Sequence, residues 1–351
     1  MPIRSRLAVL ALAVLVSTTP NFAGTAFART VTDQLDRRVT VPDEVRRVVA
    51  LQHQSLDIVV ELGAADRLVG VLRSWRSQIP GLERMAPGLV SLPTPGDLTT
   101  VNIEALLALH PDVVFVTNYA PPAMLRQMED AGLPVVAVSL SHGEGIEAAK
   151  LNPTLADDDT AYAQGLQEGV RLIGGILGQD ARAEALLDAA FEGRRLVEQR
   201  VGPIPAADRV RLYMANPQLN SYGSGKYTGV IMQRSGGINV AREVRGAVRV
   251  SMEDVLRWDP QVIFVQDRYA AVADEIRAGA AWQPIAAVQA GRILVTPEYV
   301  KPWGYPLPEA LALGELWMAR ALYPDRFADI DMQARVDAFY RRFYGVPGPA
   351  Q

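Results

Sequence analysis

The sequence predicts an α/β protein made of two Rossmann-like lobes joined by a single long backbone helix. Three observations carry this. A module of short helix, proline and apolar strand occurs twice. Strands and helices alternate around both copies, the strands being β-branched apolar runs of the kind buried in parallel sheets. An unbroken helical pattern from Asp180 to Val201 separates the copies.

From the N-terminus, residues 1–28 read as an export signal. Arg4 and Arg6 precede the apolar run Leu7–Val16, which is too short to span a hydrocarbon core of roughly 30 Å as a helix. Ala26-Phe27-Ala28 supplies the small-residue cleavage pattern, so the mature chain is expected to start at Arg29, soluble in the periplasm. The alternative is an uncleaved N-terminal anchor; a lipid anchor is excluded because no cysteine follows the run.

An N-terminal lobe is expected over residues 29–179, with strands at Val48–Leu51, Leu68–Val71, Val113–Val116 and Pro134–Val138. A C-terminal lobe over residues 203–351 repeats the order with Val210–Met214, Gly237–Val240, Val262–Val265 and Arg292–Val295. Across the repeat Glu104 matches Glu253, Leu107 matches Leu256, Pro111 matches Pro260, and Phe115-Val116 matches Phe264-Val265. Each proline stops a short helix before its strand. The connecting helix is expected over residues 180–202, with Asp180 as N-cap and Gly202-Pro203 as its stop. Ala183, Leu186, Leu187, Ala190, Leu196 and Val197 lie near one of its faces. At 1.5 Å per residue it is roughly 32 Å long, a stiff spine that permits only modest lobe closure.

The chain has 351 residues, formal net charge −4, 49% hydrophobic residues and no cysteine. Such a length suggests two domains, each with its own core. The composition excludes a disordered chain, disulfides and thiolate metal sites, and offers no basic block for nucleic acid. Lys150, Lys226 and Lys301 are the only lysines, so arginine is the default cation.

The ordered set of Val48–Leu51 with Leu62-Gly63, Asp66–Val71, Asn102–Leu106 with Pro111–Phe115, and Ser235–Val240 resembles the helical-backbone class (class III) of periplasmic binding proteins. The likeness spans nearly all of residues 30–345. It implies a monomeric solute-binding protein of an ABC importer for ferric siderophores, haem, cobalamin or related metal complexes. It also implies permease docking through one exposed glutamate per lobe, here Glu104 and Glu253, the two residues the repeat picks out. Their plain alternative is a first-turn carboxylate that complements the helix dipole.

Ligands of open α/β sheets bind beyond the carboxyl ends of the strands. That rule nominates His53, Gln54, Arg73, Trp75, Asn118, Tyr119, Ser141 and His142 from the first lobe. From the second it nominates Asn220, Tyr222, Arg245, Arg268, Tyr269, Tyr299, Trp303 and Tyr305. The expected ligand-binding set is His53, Arg73, Trp75, Tyr119, His142, Tyr222, Arg245, Arg268, Tyr299 and Trp303. Ring faces and arginine forks suit a large, partly anionic ligand, and core packing is the alternative for each ring. Trp258 and Trp317 read as core, and His110 as a helix-end residue. His53 and His142 are possible metal ligands, but a bare-metal site wants three or four.

The main expectation is therefore capture of an iron complex, a ferric siderophore or haem-like chelate, with no catalytic cofactor. Alternatives in the same class are cobalamin and a molybdate or tungstate oxyanion; Phe327–Asp331 and Phe339–Gly345 resemble members that take the oxyanion. From another class, a secreted enzyme or an extracytoplasmic sensor competes. Tyr222–Thr228 is a turn rather than a phosphate loop, because Asn220 and Tyr227 break GxxxxGK[ST], and no hydrolase or zinc-protease motif is present.

Overall fold

Alternation along the strands explains the architecture of the computed structural model, which describes residues 28–350. The expected export signal lies, but for Ala28, outside the described residues. A hairpin of β1 (Ala28–Thr32) and β2 (Arg38–Pro42) leads into β3 (Val48–Ala50), β4 (Leu68–Val71), β5 (Val113–Thr117) and β6 (Val135–Val138). These four pair in parallel in the order β4-β3-β5-β6. The second half repeats this with β7 (Arg211–Ala215), β8 (Ile238–Asn239), β9 (Val262–Val265) and β10 (Ile293–Val295), in the order β8-β7-β9-β10, again parallel.

Period-two side chains then divide between two faces. Val48, Ala50, Val113, Phe115, Val136 and Val138 enter one cluster that also holds Leu212, Met214, Val262 and Phe264 from the second sheet. Val49, Val114, Val116 and Val135 face a smaller cluster on the outside of the first sheet. Tyr213, Ala215, Ile263 and Val265 do the same in the second. The main core is continuous through both lobes rather than divided between them, and buried residues of the long helices Asp158–Ile176 and Asp180–Val201 belong to it.

The repeat extends to its turns. Helix α2 (Ile103–Leu107) is capped by Asn102, whose side chain accepts from Ala105 N at 3.0 Å. In the second lobe Ser251 and Asp254 form a reciprocal capping box on a matching helix, Met252–Trp258. Both connections then pass through a left-handed residue just before proline, His110 (φ 44°) and Asp259 (φ 41°). A residue preceding proline is barred from the helical region, so it must leave the helix there.

Helix α1 (His53–Glu61) follows β3, and α3 (Asp158–Ile176) packs beside the long α4 (Asp180–Val201). Gln179, not Asp180, is the N-cap of α4 and offers no side-chain bond; Asp180 is its first helical residue. The buried face of α4 also contains a charge absent from the sequence expectation. Arg194 donates to Glu315, at the start of α7 (Glu315–Leu322), at 2.5 Å. Gly193 permits this approach, since a Cβ there would sit 2.4 Å from Ala312 O. Helix α5 (Tyr227–Arg234) precedes β8, the Met252–Trp258 helix is α6, and α8 (Met332–Phe343) closes the chain against the shared core. No helix among the described residues is long and apolar enough to cross a membrane.

Candidate functional site

The first turn of α1 follows directly from β3, so the strand delivers His53 to the line between the lobes. Gln52, the N-cap, donates through its amide to Val138 O at 3.1 Å and holds the helix start against β6. The His53 ring is buried and meets Trp303 edge-on, with centroids 5.5 Å apart. Burial, and then the nearby Arg268 charge, push its pKa down to about 3, so the imidazole is neutral at physiological pH. Its Nδ1 has no hydrogen-bond partner.

Arg268 reaches this point from the end of β9. Its Nε donates to Gln266 Oε1 at 2.7 Å and its Nη1 crosses to Gln78 Oε1 in the first lobe at 2.8 Å. The guanidinium carbon lies 5.1 Å from the ring centroids of both Trp303 and Tyr269. Neither amide oxygen is charged, so these contacts form no ion pair. Trp303 is held by its backbone, with Thr228 Oγ1 of α5 donating to Trp303 O at 2.8 Å and to Pro302 O at 3.0 Å. Trp303 Nε1 and Gln266 Nε2, like His53 Nδ1, are buried without partners. Buried donors are almost always satisfied. The unspent N–H groups of Trp303 and Gln266, with an imidazole Nδ1 that donates in one tautomer, lie beside a guanidinium outside ion-pair distance of any carboxylate among the described residues. This is chemistry suited to an anion, although Asp267 Oδ1 is also buried there without a partner. Beside them Asp267 has its pKa raised, chiefly by burial.

The other nominated residues fall elsewhere. Trp75, 2% exposed, lies in the same main core as Trp303, 1% exposed, but has Arg76 4.8 Å over its ring; Gln78 of the same short helix is what meets Arg268. Tyr299 is also core. Arg73 is exposed just after β4. His142 is exposed and sits 3.0 Å from Glu168, so it does not share the surroundings of His53. No group of three His, Cys, Asp or Glu able to hold a metal occurs among the described residues. Tyr119 stacks on Tyr305 at 6.3 Å, and Lys226 Nζ lies 4.6 Å over the Tyr305 ring. Tyr222 is half-buried near Gly304, and exposed Arg245 donates weakly to Pro153 O at 3.4 Å.

Sequence reasoning missed two amides and one lysine. Gln266 stands at a strand end, where the rule would have reached it, but an amide carries no conspicuous chemistry. Lys301 lies two residues before Trp303 and pairs with Asp57 of α1 and with Glu309, all three buried. Burial works against its charge, yet Asp57, Glu309 and Glu61 outweigh that and raise its pKa. The Tyr344 hydroxyl completes the cluster, 3.0 Å from Asp57 Oδ1 and 2.9 Å from Glu309 Oε2.

Comparison with known proteins agrees with this frame. A family profile described as periplasmic binding protein matches residues 48–300. A relative from Haemophilus influenzae, the molybdate-binding protein MolA, is 51% identical over 318 residues, 90% of this chain and 91% of that protein. The structure of MolA bound to molybdate superposes with TM-score 0.90 at 50% identity, covering 92% of this chain and 100% of that one. A periplasmic solute binding protein from Veillonella parvula, at 24% identity, shares the fold with TM-score 0.75 over 92% of this chain and 94% of its own.

Proposed function

This chain belongs to the periplasmic binding protein family, and from that premise we propose that it captures a tetrahedral oxyanion, molybdate or tungstate, in the periplasm and delivers it to an ABC importer. The observation that carries the reading is the set of buried donors around one unpaired guanidinium: Arg268, with His53 and the indole N–H of Trp303. A neutral imidazole donates one N–H without adding a proton equilibrium, and arginine stays charged at any working pH. The ligand is bound and released unchanged, so the site needs no general acid or base.

The iron-complex expectation gives way to its oxyanion alternative. The support is the molybdate named for the 51% identical relative, together with the different surroundings of the two histidines, His53 buried against Trp303 and His142 exposed beside Glu168. The open aromatic surface expected for a chelate is also reduced, since Trp75, Tyr299 and Trp303 all lie in the main core and Tyr119 is stacked on Tyr305. Docking on the permease is assigned to Glu104 of α2 and Glu253 of α6, both exposed.

Titration calorimetry with molybdate, tungstate, haem and a ferric siderophore, run in parallel, tests the reading. Saturable oxyanion binding that is lost in Arg268→Gln is the expected result. Saturable binding of haem or the ferric chelate, with none of molybdate, overturns it.

A further inference from the structure

Among the described residues the exposed large apolar side chains are Val90, Leu107, Ile146, Leu151 and Leu256. A single exposed leucine needs no explanation. Two of these five, however, occupy the same position of the duplicated module. Leu107 is 40% exposed on α2 and Leu256 is 38% exposed on α6. Each lies three residues after an exposed glutamate, Glu104 or Glu253, and positions i and i+3 share one helix face. Neither carboxylate has a hydrogen-bond or ion-pair partner among the described residues.

Core packing can keep a buried residue the same in both copies of a repeat, but it places no demand on an exposed one. The surroundings of the two leucines have in fact diverged. Ala105 and Ala108 flank Leu107, whereas Leu256 lies beside the Asp254–Arg257 ion pair at 2.8 Å. What the two faces have in common is one free carboxylate and one exposed leucine.

We propose that Leu107 and Leu256 are paired apolar knobs which, with Glu104 and Glu253, seat the protein on two copies of a single socket, each an apolar hole beside a basic group, presented by the two-fold-related subunits of the importer's membrane dimer. The inference rests on the docking reading given above and adds to it the residues that exclude water. A partner without two-fold symmetry offers no matching pair of sites to a duplicated feature; a symmetric dimer does. An exposed carboxylate–cation pair is weak because water and salt screen it. A leucine that inserts alongside removes that water, as the rim of an interface does for its strong contacts. The continuous core fixes the two knobs on one body, so the second engages at high effective concentration once the first is seated.

The experiment measures docking of the molybdate-loaded, full mature protein on its cognate permease–ATPase complex in lipid nanodiscs, by biolayer interferometry at several salt concentrations. Leu107→Ala and Leu256→Ala should each weaken docking about tenfold and by similar amounts, and the double variant about a hundredfold. Docking by these variants should also become more salt-sensitive, while molybdate affinity and melting temperature stay unchanged. An effect confined to one leucine overturns the two-socket assignment. If the double leucine variant docks normally and E104A/E253A does not, the knobs are excluded while the glutamate reading stands. If E104A/E253A docks normally, the docking reading fails and takes this inference with it.

Discussion

The Lys301 ammonium, from the C-terminal lobe, is ion-paired to the buried Asp57 carboxylate on the first helix of the N-terminal lobe. Asp57 is one turn beyond His53, and Lys301 is two residues before Trp303. One buried pair therefore ties together the two elements that carry His53 and Trp303.

Removing the cation should be costly. Lys301→Met leaves Asp57 and Glu309 buried without a counter-charge, and breaking a buried pair this way costs about 3–5 kcal/mol. Denaturant unfolding of the ligand-free protein measures it. A loss below about 1 kcal/mol would mean that the cluster does not hold the lobes together.

The same cluster sets a pH dependence. Burial first, and then Asp57, raise the pKa of Glu61 well above its ordinary 4.5. The native state therefore keeps a proton that the unfolded chain has already released. Its contribution is full below about pH 4.5 and is lost as pH rises through the folded value. His53 acts in the opposite sense. With its pKa lowered from 6.5 to about 3, its contribution is present above pH 6.5 and is lost as pH falls toward 3. Melting temperatures across pH should show Glu61→Gln flattening the decline above pH 5 and His53→Gln flattening the fall below pH 6.5. If both profiles parallel the unmodified protein, these groups do not control its stability.

Much of this fold is legible in the sequence because buried parallel strands must be apolar throughout and each proline stop is visible. Matching Val113–Val116 with Val262–Val265 gives the repeat, while the order the two sheets share comes from the structure. The shared core is not legible: whether Val48 and Leu212 face one interior or two depends on how the long helices pack. The sequence nominates His53, Arg268 and Trp303 separately, from strand ends or the segments beyond them, and the structure brings the three side chains together. Trp75 is not brought to them: that short helix turns its indole into the core and its Gln78 toward Arg268. Lys301 escaped notice because its partners are distant in sequence.

Docking is separable from capture. Glu104→Ala combined with Glu253→Ala removes two exposed carboxylates that are not among the proposed anion donors, so molybdate affinity should remain within about twofold. Uptake by cells carrying the variant should fall to the level of a deletion strain, because each exposed pair is weak alone and both act through one rigid body. Normal uptake would exclude these residues as the docking contacts.

Trp303 offers the narrowest test of the anion site. Trp303→Phe keeps an aromatic ring against His53 and Arg268 but deletes Nε1–H, a buried donor with no partner within the protein. A hydrogen bond to a charged acceptor contributes about 1.5–3 kcal/mol. The variant should then bind molybdate roughly tenfold or more weakly, at 1.4 kcal/mol per factor of ten. Trp303 is fully buried, so the smaller ring also opens space in the core and should lower the melting temperature, and affinity is the readout that distinguishes the two variants. Trp258→Phe is the control. That indole tilts against Tyr213 at 6.4 Å, in the cluster on the outer face of the second sheet. Its replacement opens space in packed surroundings and should lower the melting temperature while leaving affinity unchanged. Calorimetry of the two variants side by side separates the roles. Weaker binding in Trp258→Phe with normal binding in Trp303→Phe would place the anion away from Arg268.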